Sequence, residues 1–186
     1  MGRWEPNARG RLEEAALALY GEHGYEQTTV AEIADRAGVT ARTFFRHYGD
    51  KREVLFAGSE RVQDAMRAAL ESAPADASPI AAVGAALDAV AELIGGDPIH
   101  SQRRQAVIEA NAELRERELI KMATLAQVLG EGLVQRGLGD LQARLVAEAG
   151  IAVFRTGFED WVSDPAGRDL GDVLRESLGQ LRALVG

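Results

Sequence analysis

The sequence contains no cysteine, which excludes a disulfide framework and any thiolate zinc site and fits a reducing compartment such as the cytoplasm. Aromatic residues make up only 5% of the chain, which argues against a large aromatic ligand cage. No apolar run approaches the roughly 20 residues that a membrane helix needs, and the N-terminal stretch lacks a signal peptide's hydrophobic region. The β-branched alternation that marks strands is absent, while Ala, Leu, Glu and Arg dominate. The fold class is therefore all-α. There is no phosphate-cradling P-loop and no GxSxG elbow. His23, His47 and His100 are scattered, with no HExxH and no paired ligand spacing. These absences lead to the expectation of a protein that is not an enzyme and uses neither metal nor cofactor.

What the chain does have is a dense set of helix signals at residues 28–55, TTVAEIADRAGVTARTFFRHYGDKREVL. Thr29 followed three residues later by Glu32 is a capping box. Ala31, Ile33 and Ala34 carry that helix to Ala37, and Gly38 supplies the left-handed residue that ends it. Val39 plugs the corner, and Thr40 caps a second helix through Tyr48. Ala41, Phe44 and Tyr48 lie three and four apart, so they are expected to share one inward face. The opposite face carries Arg42, Thr43 and Arg46, with Phe45 and His47 towards its edge. Asp50 is expected to cap a further helix, with Glu53 at its third position. An isolated glycine turn between helices is ordinary bundle geometry, and two arginines can be an ordinary solvated face. Here the cations gather on the helix that would enter a DNA groove, with Lys51 and Arg52 just beyond, so the pattern points to a helix-turn-helix for double-stranded DNA.

From about Arg11 to Leu55 the chain resembles the TetR family of transcriptional regulators. Gly24-Tyr25, Thr28-Thr29, Ala34, Gly38-Val39-Thr40, Phe45, His47 and Lys51 stand where that pattern expects them. Two positions depart from it: Phe45 replaces the usual tyrosine, removing a phenolic contact to phosphate, and Tyr48 stands where phenylalanine is commoner. The resemblance implies about nine helices, an N-terminal three-helix DNA-binding domain (1–53) and a larger helical effector-binding and dimerisation domain (54–186). It also implies that Thr29, Thr40, Thr43, His47 and Lys51 position phosphates. By geometry, Arg42 suits bidentate contact with guanine, Ala41 a thymine methyl, and Arg46 either a base or a phosphate.

The net charge of −8 divides unevenly. Residues 1–53 hold eight Lys/Arg against nine Asp/Glu, and residues 54–186 hold thirteen against twenty, or −1 and −7. A locally basic head on an acidic body orients the molecule head-first on a duplex and opposes non-specific coating of nucleic acid. Helix 1, about 8–23, offers Leu12, Ala15, Ala16, Leu17, Leu19 and Tyr20 as an inward face. Ahead of it, MGRWEPNARGR is expected to fray. Its Arg3, Arg9 and Arg11 could reach phosphate or the minor groove, or make no contact, and Trp4 could act as a local staple.

Breakers divide the rest into amphipathic helices at about 51–72, 80–94, 100–109, 112–135, 141–162 and 170–184, separated by SAPADASP, GGDP, RGLGD and SDPAG. The first of these is expected to run unbroken from Lys51 and to link head and body. From Leu145 to Phe158 the penultimate helix is apolar nearly all round, and Gly150 and Gly157 would let another backbone approach. With Leu174, Leu178, Leu181 and Val185 on the last helix, this fits a four-helix interface between two subunits as well as an intramolecular core. Phe154, Phe158 and Trp161, with His100 and Arg104, are candidate effector-lining residues. Aromatic residues at helical spacing are more often core, and Met66 and Met122 are ambiguous fillers.

The expected function is sequence-specific regulation of transcription. A homodimer would hold a palindromic operator and release it when a small-molecule effector binds the C-terminal domain. An effector-blind regulator and a helical protein-interaction module are the alternatives.

Overall fold

The computed structural model describes residues 7–164 and 166–185, and Arg3 and Trp4 fall outside them. Among the described residues there is no strand; nine α-helices and one 3₁₀ turn follow in order. They are α1 (Ala8–His23), α2 (Val30–Arg36), α3 (Ala41–His47), the 3₁₀ turn (Glu53–Phe56), α4 (Ser59–Ser72) and α5 (Pro79–Ile94). Then come α6 (Pro98–Ala110), α7 (Ala112–Gln135), α8 (Asp140–Ser163) and α9 (Leu170–Val185). No single helix among the described residues is long and apolar enough to cross a membrane.

The chain forms two compact units. The first holds residues up to Gly58 together with Arg103–Glu116, and the second holds Ser59–Gln102 and Arg117 onward. The head drawn at 1–53 from sequence thus continues to Gly58 in the structure and takes in the corner between α6 and α7.

In the first unit, Leu12, Ala16, Leu19 and Tyr20 of α1 meet Ile33, Ala34, Phe44 and Tyr48 of the next two helices. Val54 and Leu55 of the 3₁₀ turn join them, with Val107, Ile108 and Leu114 from the corner segment. Polar bonds tie that corner down. Arg104 Nε donates to the Leu55 carbonyl at 2.7 Å, and its guanidinium lies 5.3 Å from the Phe56 ring centroid. Arg52 pairs with both Asp50 and Glu113.

The unbroken helix expected from Lys51 to Ser72 is not formed. Asp50 Oδ1 does accept the amides of Arg52 and Glu53, at 2.8 and 3.1 Å, but the segment it caps closes after one 3₁₀ turn. The backbone leaves helical geometry at Ala57, with a ψ of 128°, Gly58 follows with a left-handed φ of 93°, and α4 starts at Ser59. Asp50 thus makes the amide bonds expected of a cap, but the helix it was to start does not form, and the 3₁₀ turn has Arg52 at its own cap position with no side-chain cap bond.

In the second unit α5 is the central helix. Ala82, Val83, Ala86, Leu87, Val90 and Ala91 are all buried and join one core with α4, α7, α8 and α9. Small residues allow the close approaches, two of them at the glycines read from sequence as contact points. A Cβ at Gly150 would lie 2.6 Å from Val83 Cγ1, and one at Gly157 would lie 2.8 Å from Leu174 Cδ2. Both glycines do let a neighbouring helix come close, with Leu174 Cα 3.8 Å from the Cβ position at Gly157, but that helix belongs to the same subunit, so neither glycine is free to receive a partner's backbone. Leu174 and Leu178 are buried in the same core, which removes them from a subunit interface; the side chain of Val185 lies outside the described set. Arg136 closes the base of α4, donating to the carbonyls of Leu70 and Ala73 at 3.0 Å each and of Pro74 at 2.6 Å. A guanidinium there satisfies acceptors that the end of a helix leaves unpaired.

Candidate nucleic-acid interface

The recognition unit is built by local bonds. The Thr29 hydroxyl accepts the Glu32 amide at 3.3 Å, and Glu32 Oε2 accepts the Thr29 amide at 2.8 Å and its hydroxyl at 2.7 Å. The hydroxyl and amide of Thr29 hold the Glu32 carboxyl below its ordinary range. At the other end of α2, Gly38 has a φ of 67°. Its amide donates to Asp35 O and the Val39 amide to Ala34 O, both at 2.9 Å. This paired closure sets the angle at which the chain enters α3. Thr40 then caps α3, accepting the Thr43 amide at 3.2 Å. Replacing Thr29 with alanine removes one cap and should cost about 1 kcal/mol. Thermal melting of the free protein checks this, and an unchanged midpoint would contradict it.

Phe44 and Tyr48 anchor α3. Phe44 has no exposed surface, and its ring centroid lies 5.6 Å from that of Tyr48 and 5.5 Å from that of Phe45. The Tyr48 hydroxyl donates to Glu13 Oε1 at 2.8 Å, and burial followed by the Glu13 carboxylate pushes this phenol well above its usual range. Ala41, expected to share the inward face, is exposed. It is the first residue of the helix, where the chain has not yet turned onto α1 and α2.

With that face buried, α3 turns Ala41, Arg42, Phe45, Arg46 and His47 outward, all exposed, with Phe45 at 58%. The state of the neighbouring cations sets two of these apart. Arg9 pairs with Glu13, Arg11 donates to Ala37 O, Arg36 pairs with Glu22, and Arg52 pairs with Asp50 and Glu113. Lys51 donates to three backbone carbonyls. Of the arginines and lysines described up to residue 58, only Arg42 and Arg46 make no hydrogen bond or ion pair. Two unsatisfied guanidiniums one turn apart on a short exposed helix suit a groove lined with acceptors. Thr29, Thr40 and Thr43, read as phosphate contacts, have their hydroxyls engaged in the caps. Arg9 and Arg11, read as a possible arm, are bonded within the head.

The residues proposed for effector binding belong to both units: Arg104 to the first, and His100, Phe154, Phe158 and Trp161 to the second. Phe154, Phe158 and Trp161 form a row of rings with centroids 5.8 and 5.6 Å apart, packed in or against the core of the second unit. The Trp161 indole donates to Arg168 O at 2.9 Å. Arg104 belongs to the first unit, where it binds Leu55 O, and His100 stands at the start of α6. A groove of about 550 Å³ between α7 and α8 contains none of the five; Ala126, Gly130, Val134, Ala143 and Arg144 are among its lining residues. Sequence reading missed the corner residues Arg104, Glu113 and Leu114 as parts of the head, because only chain folding brings them to Leu55 and Arg52.

The architecture and the outward cations define a helix-turn-helix regulator. Comparison with known proteins agrees. The sequence pattern of bacterial regulatory proteins of the tetR family matches residues 12–57, and that of the MftR C-terminal domain matches residues 77–186. The chain belongs to the TetR family: it is a DNA-binding transcriptional regulator and not an enzyme. It is 43% identical over 82 residues to the HTH-type transcriptional regulator TcmR of Streptomyces glaucescens, covering 44% of this chain and 36% of that protein. It is 25% identical over 189 residues to the putative mycofactocin biosynthesis transcriptional regulator MftR of Mycobacterium tuberculosis, covering 100% and 93%. The fold matches the repressor FadR of Thermus thermophilus, solved with lauroyl-CoA, at a TM-score of 0.61 and 22% identity over 94% of this chain and 93% of that one.

Proposed function

We propose that the protein is a cytoplasmic repressor that holds a palindromic operator as a C2 homodimer and lets it go when a small molecule binds the body. The observation that carries the DNA half is the pair of unpaired guanidiniums, Arg42 and Arg46, on the outward side of α3. Arg42 reads guanine, Ala41 and Phe45 supply apolar contact, and Arg46 and His47 meet a base or the backbone. Two heads related by a dyad read two half-sites when their recognition helices are about 34–36 Å apart. An effector that favours another spacing releases the DNA.

Dimerisation is supported by apolar surface that the subunit leaves uncovered on its last two helices. Leu141 and Leu145, one turn apart on α8, are 61% and 62% exposed, and Leu184 on α9 is 84% exposed. Side chains of that size are costly to leave in water, and a second copy would cover them. The effector is expected to be apolar, because among the described residues of the second unit the buried side chains are aliphatic or aromatic. A second reading, an effector-blind repressor, is favoured because, among the described residues of the second unit, no hydroxyl, amide or charged residue is buried to orient a ligand, and the buried Trp161 indole already donates to Arg168 O.

Selecting bound fragments from a random DNA library, followed by titration of apolar ligands into the complex, tests these points together. The expected outcome is a two-fold symmetric site and ligand-dependent release. An asymmetric single half-site, or a monomeric mass by light scattering at micromolar concentration, would overturn the dimer. Release by no ligand in a broad panel would leave the effector-blind reading standing.

A further inference from the structure

We infer that Lys51 is a positioning residue for operator binding, whose ammonium staples the turn between α1 and α2 and does not contact DNA phosphate. A lysine ammonium has three N–H donors and no acceptor. All three have partners here: Lys51 Nζ lies 2.8 Å from Tyr25 O, 3.0 Å from Thr28 O and 3.2 Å from Glu26 O. The same nitrogen sits 4.4 Å from the Tyr25 ring centroid, within the range of a cation–π contact. The backbone of Lys51 is held as well, because the buried Tyr20 hydroxyl donates to its carbonyl at 2.6 Å. The turn's other ties all run through Thr28, which is 1% exposed: its amide donates to Tyr25 O at 3.3 Å, and its hydroxyl lies 2.8 Å from Gly24 O and 3.3 Å from Leu19 O.

One cation therefore gathers three carbonyls of a turn that has few bonds of its own. Reaching a phosphate would mean abandoning all of them, exchanging three charge-assisted bonds and a ring contact for one new ion pair. The turn runs directly into Thr29, the cap of α2, and α2 carries α3. Without the staple the turn samples several positions, and binding DNA must first order it, which lowers affinity for every sequence. Arginine is a poor substitute, because its planar fork cannot converge on three oxygens around one point.

The inference rests on the operator reading, and the experiment separates the two. Full-length wild-type protein, Lys51→Met, Lys51→Arg and Arg46→Ala are titrated with the selected operator over a range of salt concentrations. Lys51→Met, with a similar stem and no charge, should bind roughly tenfold more weakly at each salt concentration. Its slope of log affinity against log salt should equal that of wild type. A lost phosphate contact would instead reduce the slope by about 0.9, and that result overturns the inference, as would unchanged affinity. Lys51→Arg should fail to restore binding, while Arg46→Ala reports whether the assay detects a cation that meets the duplex.

A second measurement needs no variant. The 15N resonance of the Lys51 ammonium in wild-type protein should be protected from solvent exchange without DNA and stay in place when operator is added. If Lys51→Met does not fold, this resonance decides alone: a shift on DNA binding, or no protection beforehand, refutes the staple. Wild-type protein that binds no DNA would defeat the operator reading itself, and the positioning role with it.

Discussion

Replacing Phe44 with alanine should unfold the head while leaving the body helical. Phe44 has no exposed surface and is packed between α1, α2 and its own neighbours Phe45 and Tyr48. Truncating a buried phenylalanine costs about 3–5 kcal/mol, the lost transfer energy plus the cavity that remains. A small unit has few means to absorb that, since whole domains are stable by only about 5–15 kcal/mol. The body has its own core, from Val62 and Met66 through Leu178, and does not include Phe44. Hydrogen exchange should therefore show protection lost over residues 7–58 and kept in α5, α8 and α9, with operator binding abolished. Uniform loss of protection throughout the chain would show that the two cores melt as one. Unchanged protection in the head would show that Phe44 does not carry its core.

The limits of α2 and α3 were legible because they are set by bonds spanning three to five residues. Thr29 with Glu32, Gly38 with its paired closure and Thr40 with Thr43 all lie inside that range, and the structure shows each as the sequence implied. The start of α4 was misread. Asp50 and Glu53 signal a helix N-terminus, and that signal was given more weight than Gly58, the local residue beside which the chain turns out of helical geometry. The corner segment was beyond reach, because Arg104 bonds to a carbonyl 49 positions away and Glu113 to an arginine 61 positions away. Gly150 and Gly157 were recognised as contact points, but the pattern gives no indication of which helix fills the space; Val83 and Leu174 fill it from within the same subunit. Within the interface, Arg42 and Arg46 were readable by face. That they alone of the arginines and lysines described up to residue 58 remain unpaired became visible only once Arg36, Lys51 and Arg52 had found their partners.

That difference in pairing makes Arg42→Ala the sharpest test of how the head reads sequence. Arg42 is exposed near the start of α3 and has no bond to give up on entering a groove. Its removal should therefore leave the stability of the free protein nearly unchanged. A bidentate contact with guanine is worth about 1–3 kcal/mol against the wrong base, so the preferred operator should lose roughly that much affinity. An operator in which the contacted G·C pair is replaced should lose little further affinity when the arginine is also removed, because the two changes delete the same interaction. The coupling is measured by titrating wild type and variant against both duplexes at one salt concentration. A large coupling at one symmetric pair of positions assigns the base. Equal losses on every duplex would place Arg42 on the phosphates, leaving Arg46, Ala41 and Phe45 to carry the sequence readout.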